Sequence, residues 1–221
     1  METLRNISGD LVRYYGDGGW VMHWITLCSL LSLTVIVYKL ILFHQIRLDL
    51  NGFVARVRRA LLDGNVREAV QVCEAHRGPI PAILKSGLLK YGKTRGEIEK
   101  TMENAAIHEV AHLEQYLIVL ATVANIAPLL GFLGTVIGMI LSFDAITAQG
   151  LNNPAMVARG ISVALLTTAW GLIVAFFTQP FYNYFIGKVV ACTREIETTC
   201  NVFFETLEEM PHERGAVVRV G

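Results

Sequence analysis

The sequence predicts an all-α, polytopic membrane protein with three transmembrane helices, two of them extended into long cytoplasmic helices. Three observations lead there. Long apolar runs alternate with one charge-rich region, the runs carry small residues at helical spacing, and mean hydropathy reaches +0.45 although 17% of residues are charged. Hydropathy that high beside that many charges requires the two kinds of residue to be segregated along the chain, as in a membrane protein with one aqueous region. A formal net charge of zero speaks against nucleic acid as a partner. Cys28, Cys73, Cys192 and Cys200 show neither a CxxC pair nor disulfide-framework spacing, so they read as free thiols in a reducing compartment, with no metal or cofactor role.

Residues 1–19 mix charge and apolar groups, with Leu4, Ile7 and Leu11 at helical spacing, and suit a periplasmic amphipathic segment lying on the membrane surface. The first span covers residues 20–43. It exceeds the core of a secretory signal and lacks a small-x-small cleavage site, so it is expected to be retained. Trp20 and Trp24 at one end and Tyr38 with Lys39 near the other suit the two membrane interfaces, and His23 is expected to be a polar residue of that belt.

Residues 44–116 hold eleven Lys or Arg and nine Asp or Glu, which marks a cytoplasmic helical domain. Within it Asn65 can cap a helix, Gly78-Pro79 breaks that helix, Pro81 suits a first turn and Thr94 can cap the next helix. From Arg95 onward Met102, Ala106, Val110, Leu113 and Leu117 form one stripe without a breaker, so a single helix is expected to run from the aqueous phase into the bilayer.

The second span, residues 117–143, has no charged side chain. At ~1.5 Å per residue it outspans a ~30 Å hydrocarbon layer. On a 100° wheel Pro128, Gly131, Thr135, Gly138 and Ser142 share one face, and Gly134 to Gly138 spells small-xxx-small. Faces of this kind let helix backbones approach closely or admit water and ions. Residues 144–160 contain Gly150, Asn152, Asn153 and Pro154 and are expected to form a periplasmic hairpin. The third span, residues 161–186, repeats the pattern, with Gly160, Ala164, Thr168, Gly171, Ala175 and Thr178 on one face. Residues 187–221 form a cytoplasmic helix through Ile196, Cys200, Phe203 and Leu207, then a tail from about Pro211 expected to be disordered. Lys and Arg close to the spans favour the side bearing Arg47, Arg56, Arg58, Arg59, Lys188 and Arg194, which puts the N-terminus and hairpin in the periplasm and the C-terminus in the cytoplasm.

Two features bear on chemistry. His108-Glu109-Val110-Ala111-His112 matches H-E-x-x-H, a zinc-protease spacing, but no third ligand follows at a usable distance and the helix lies outside the bilayer; an intramembrane metalloprotease built on His108 and His112 is a remote alternative. The second and third spans carry Thr122, Asn125, Thr135, Ser142, Ser162, Thr167, Thr168 and Thr178 but no carboxylate, His, Lys or Arg. Such spans can line a hydrated path, yet a titrating proton relay would need an acid from a partner.

The stretch HLEQYLIVLATVANIAPLLGFLGTVIGMILSF over residues 112–143 and GISVALLTTAWGLIVAFFTQPFYNYF over residues 160–185 closely resemble the second and third transmembrane helices of the ExbB/TolQ/MotA proton-channel family, nearest its ExbB/TolQ branch; GNVREAVQVCEAHRGPIPAILKSGL over residues 64–88 resembles its cytoplasmic helices. The resemblance implies no enzyme but the pore-forming stator of an inner-membrane proton-driven motor. It also implies a homopentamer enclosing a dimer of an ExbD/TolR-type single-span partner with a membrane Asp, and work at the outer membrane through a TonB-like or Pal-like envelope component. Thr135 and Thr168 match the family's pore threonines, with Thr167, Ser142 and Asn125 as additional polar candidates and Pro128, Gly131, Gly134, Gly138 and Gly171 as packing residues. Where family members with G-I-x-E-A-L carry a glutamate, Val163 stands here, which leaves open a non-conducting oligomeric scaffold.

Overall fold

A computed structural model of the chain describes residues 18–46, 50–150 and 154–209. The segment expected over residues 1–19 thus falls, apart from Gly18 and Gly19, outside the described residues, as do residues 210–221. The described elements are α-helices: α1 Gly19–Gln45, α2 Leu50–Leu62, α3 Val66–Glu74, α4 Pro79–Leu88, α5 Arg95–Glu114, α6 Leu117–Gln149 and α7 Pro154–Glu209. Among the described residues three stretches are long and apolar enough to cross a membrane: α1, the 54 residues Arg95–Ala148, and the 56 residues of α7. The latter two extend well beyond the length a bilayer needs, about 20 residues. The chain divides into two compact units, residues 18–38 with Tyr116–Tyr184, and Lys39–Gln115 with residues 185–209.

The first unit packs α1, α6 and α7 around Val21, Ile25, Val123, Ala127 and Val174. Its remaining apolar surface is open: Leu129, Phe132, Leu165, Phe176 and Phe177 are all exposed. Exposed apolar area of that extent is what a lipid or subunit environment covers.

The second unit is a layered helical domain. Phe53, Val57 and Leu61 from α2, Ala69 and Cys73 from α3, Ile83 and Leu84 from α4, Ile98 and Met102 from α5, and Ile196 and Phe203 from α7 share one core. Local chemistry sets its helix starts. Asn65 caps α3, its side chain accepting the Glu68 N–H at 3.1 Å. Gly78, at φ 141°, occupies a backbone region that L side chains rarely adopt and precedes Pro79 and Pro81, which fill the first turn of α4. Thr94 stands at the N-cap of α5 as expected, but no hydrogen bond from its side chain closes the cap; its backbone carbonyl accepts from Glu97 and Ile98 instead. Gly87 admits Met102, whose Cγ would lie 2.8 Å from a Cβ there. Ion pairs Arg58–Glu209 and Arg95–Glu208 tie the end of α7 to α2 and α5.

Two expectations are corrected. The helix from Arg95 is not continuous: α5 ends at Glu114 and Tyr116 takes φ 66°, a left-handed conformation costly for an L side chain, before α6 begins at Leu117. Nothing local dictates this. Two contacts hold the two sides of the break: Tyr116 meets Tyr38 edge-on at 5.8 Å between ring centroids, and the Leu113 carbonyl, which Leu117 would take in an unbroken helix, accepts from Lys39 Nζ at 2.7 Å. Lys39 is therefore fully buried, not an interfacial anchor. A cation at the C-terminal end of α5 also suits the helix dipole. Of residues 144–160, the first six belong to α6 and the last seven to α7. Gly150, at φ 63°, stops α6, and Pro154, whose missing N–H is harmless at a first helical position, starts α7.

Replacing Lys39 with Met keeps the stem and removes the donor; denaturant titration in detergent should show a loss of about 1–3 kcal/mol, and an unchanged midpoint would mean that the Leu113 carbonyl has another donor. Burial pushes the Cys73 thiol up to about 12, with smaller opposing effects from Lys85 and Glu74. An unfolded chain releases that proton near the ordinary 9.0, so this contribution to stability is intact below 9.0 and is lost as pH climbs from there toward about 12. Cys73→Ala should flatten that part of the alkaline unfolding curve, and iodoacetamide at pH 8 should modify native Cys73 far more slowly than the denatured chain.

Candidate functional site

The small faces of α6 and α7 lie against each other within one chain. A Cβ added at Gly138 would stand 2.5 Å from the Gly160 carbonyl oxygen and 2.7 Å from the Ala164 nitrogen; one at Gly171 would stand 2.5 Å from the Ala127 carbonyl oxygen and 3.1 Å from the Gly131 Cα. At Gly131 it would lie 3.0 Å from the Thr167 oxygen and the Thr168 Cα, and at Gly134 2.5 Å from the Thr167 Cβ. Backbone meets backbone at three of these four positions, and only the absence of a side chain permits the approach. Pro128 sits inside α6, half-buried on the same face.

The hydroxyls divide into two groups. Thr167 is fully buried and returns its proton to its own helix, at 2.9 Å from the Val163 oxygen and 3.1 Å from that of Ala164. Ser142, also buried, lies 3.1 Å from the carbonyls of Gly138 and Val157 and so links the helices. Thr178 is buried and bonds the Val174 oxygen at 2.7 Å. Thr122 and Asn125 are exposed. Bonds inside one helix leave such groups little capacity for anything else.

Thr135 and Thr168 differ from these. Both are half-buried, their hydroxyl oxygens are hydrogen-bonded to each other, and carbonyls flank the pair: Thr168 Oγ1 lies 3.1 Å from the Gly131 oxygen, and Thr135 Oγ1 3.2 Å from that of Ala164 and 3.3 Å from that of Gly131. Each hydroxyl has one proton to give and two lone pairs. Two arrangements satisfy the same oxygens: Thr135 donates to Thr168 and Thr168 to Gly131, or Thr168 donates to Thr135 and Thr135 to Ala164 or Gly131. The pair can reverse the direction of its hydrogen bonds without moving a heavy atom. It cannot hold a net proton, because neither group titrates in the accessible range.

His108 and His112 are exposed on α5, and among the described residues no cluster of three or more His, Cys, Asp or Glu side chains is placed to hold a metal ion. The side-chain hydrogen bonds between α6 and α7 given by Thr135, Ser142 and Thr168 join hydroxyls to carbonyls and to one another, a chemistry suited to orienting dipoles and water. The wheel at 100° separated the small faces from the bulky ones, but it did not show that the two faces meet in a single chain or that Thr167 fills the space over Gly134. A sequence signal did exist for that contact: Gly134 on α6 and Thr167 on α7 are small residues at matching depth in spans of similar length.

Residues 75–198 match the model of the MotA/TolQ/ExbB proton channel family, just over half of the chain. Among relatives, an ExbB-like biopolymer transport protein of Synechocystis sp., its third, is 31% identical over 84% of this chain and 91% of its own length. An ExbB homologue of Methanothermobacter thermautotrophicus is 29% identical over 86% of this chain and 67% of its own, and the biopolymer transport protein ExbB of Aquifex aeolicus is 36% identical over 48% and 71%.

Because α6 and α7 meet backbone to backbone at Gly138, Gly138→Ala must push backbone away and should destabilise the protein by about 1–3 kcal/mol. Gly187, on α7 with nothing within 4 Å of an added Cβ, is the control: Gly187→Ala should be neutral or stabilising by up to about 1 kcal/mol. Equal melting of the two variants in detergent would refute the contact.

Proposed function

The chain belongs to the MotA/TolQ/ExbB proton channel family, and from that premise we propose that it is the pore-forming stator subunit of an inner-membrane proton-driven motor of the ExbB/TolQ kind. Its spans would be residues 20–43, 117–143 and 161–186, with the N-terminus and the connection between α6 and α7 in the periplasm, and residues 44–116 and the C-terminus in the cytoplasm. A homopentamer would enclose the membrane helices of an ExbD/TolR-type partner, and proton flow would drive work at the outer membrane, transport through a TonB-like component or envelope maintenance through a Pal-like one. The observation that carries this reading is the Thr135–Thr168 pair: two hydroxyls bonded to each other across α6 and α7, half-buried, in two spans without a carboxylate, His, Lys or Arg. Hydroxyls of this kind can order water beside an acid, and the acid then has to come from the partner.

The scaffold reading retains one specific support. Val163 replaces a carboxylate of the family pattern, and an isopropyl side chain can neither bind nor release a proton. Proton flux separates the two readings. Reconstituted with its partner in liposomes, the wild-type protein should conduct protons in a manner abolished by removing the partner's membrane Asp. Thr135→Val with Thr168→Val should lower that flux at least tenfold while the oligomer remains intact. Wild-type flux in the double variant would eliminate the hydroxyl pair from the path, and no flux from the intact complex would leave the scaffold.

A further inference from the structure

The second unit contains a cavity of about 360 Å³ that the motor reading does not use. Phe43, Ile46, Leu50 and Ile80 give it apolar walls, and Arg77, Lys188 and Glu195 are its charged residues. It is a built feature. Phe43 stacks on Phe185 at 5.8 Å between centroids, Ile80 is buried, and Gly78 holds a backbone conformation that favours glycine beside Ile46. Its position along the chain is specific. Phe43 is the last residue of the first span and Lys188 follows the third by two residues, so one side of the cavity comes from where two spans leave the bilayer on the side rich in Lys and Arg, and residues 77–81, between α3 and α4 and in the first turn of α4, supply the other.

An apolar slot bearing two cations at that depth matches the chemistry of an amphiphile with a phosphate, since basic pockets at the cytoplasmic ends of membrane helices recognise lipid headgroups. The single acid narrows the choice. Glu195 disfavours a bare, multiply charged anion and suits a phosphodiester whose headgroup carries a hydroxyl or ammonium donor. Cys192, also in the lining, is held protonated by burial, with Glu195 adding to the effect, so the cavity presents an apolar thiol there and not a nucleophile.

We propose that this cavity is a binding site for one phospholipid of the inner leaflet per subunit, its phosphate held by Arg77 and Lys188 and an acyl chain lying along Phe43, Ile46, Leu50 and Ile80. The proposal rests on the span assignment above but not on proton conduction, because bound lipid is counted whether or not the channel conducts.

Native mass spectrometry of the full chain released from detergent tests it, with oligomer mass in the same spectrum as the control for folding. The wild-type protein should retain one phospholipid per subunit, and the delipidated protein should regain it from added phosphatidylglycerol or phosphatidylethanolamine. Phosphatidic acid, which lacks the headgroup donor, should bind at least fivefold more weakly. Arg77→Gln with Lys188→Gln should weaken rebinding at least tenfold, and Arg77→Lys with Lys188→Arg should restore it. Retention of the same lipid count by the Gln pair would overturn the assignment, as would failure of the delipidated oligomer to rebind lipid because a neighbouring subunit fills the slot. Displacement of the lipid by millimolar inorganic phosphate would show a soluble-anion site instead and would equally overturn it.

Discussion

The first unit depends on one constraint, the approach of α6 and α7 to backbone contact. In lipid, apolar side chains gain little by leaving one another's company for a neighbouring helix, so association rests on dispersion between closely spaced atoms and on hydrogen bonds. Gly131, Gly134, Gly138, Gly160 and Gly171 supply the closeness, and Thr135, Thr168 and Ser142 supply the bonds between helices. The two contributions are coupled. A carbonyl on one helix comes within reach of a threonine on the other only because the intervening residues lack side chains. Any residue larger than glycine at 138 or 171 would move the carbonyls as well as the chain that carries them.

The same closeness decides which hydroxyls are available. Thr167 and Thr178 are closed off in bonds to their own helix, and Ser142 is a buried cross-link, whereas Thr135 and Thr168 keep part of their surface and bond each other. A side chain that serves as a helix-to-helix bond and stays accessible can do structural and functional work at once. On the reading proposed, that explains why two threonines suffice where the spans contain no acid: they fix the geometry of the path wall and present an oxygen whose proton can face either way.

Much of this was legible in the sequence because it rests on periodicity. The three spans, the small faces, the Asn65 cap and the helix start at Gly78 to Pro81 follow from spacing and from the local chemistry of single residues. The parts that were not legible are set by tertiary contacts. No glycine or proline stands near Tyr116, so the sequence carries no warning of a break there; Tyr38 and Lys39, more than seventy residues earlier, hold its two sides. Lys39 reads from sequence as a snorkelling anchor because its neighbours are aromatic and apolar, and only the carbonyl freed at Leu113 gives it a reason to be buried.

A helix pair in backbone contact also limits where movement can occur. Packed interiors tend to have discrete arrangements and to resist continuous deformation, and an interface filled by glycine backbone and short hydroxyl side chains has few rotamers to exchange. Sliding α6 past α7 would separate Gly138 from Gly160 and Gly131 from Gly171 together and would break the Thr135–Thr168 bond. Within one subunit the two helices therefore behave as a single wall. If the motor reading holds, rotation has to take place at surfaces that α6 and α7 do not share, between subunits or against the enclosed partner, where exposed Leu, Ile and Phe side chains offer a smooth apolar contact. On the proposed reading the hydroxyls stay fixed in the wall and the moving acid belongs to the partner, which agrees with second and third spans that contain no acid of their own.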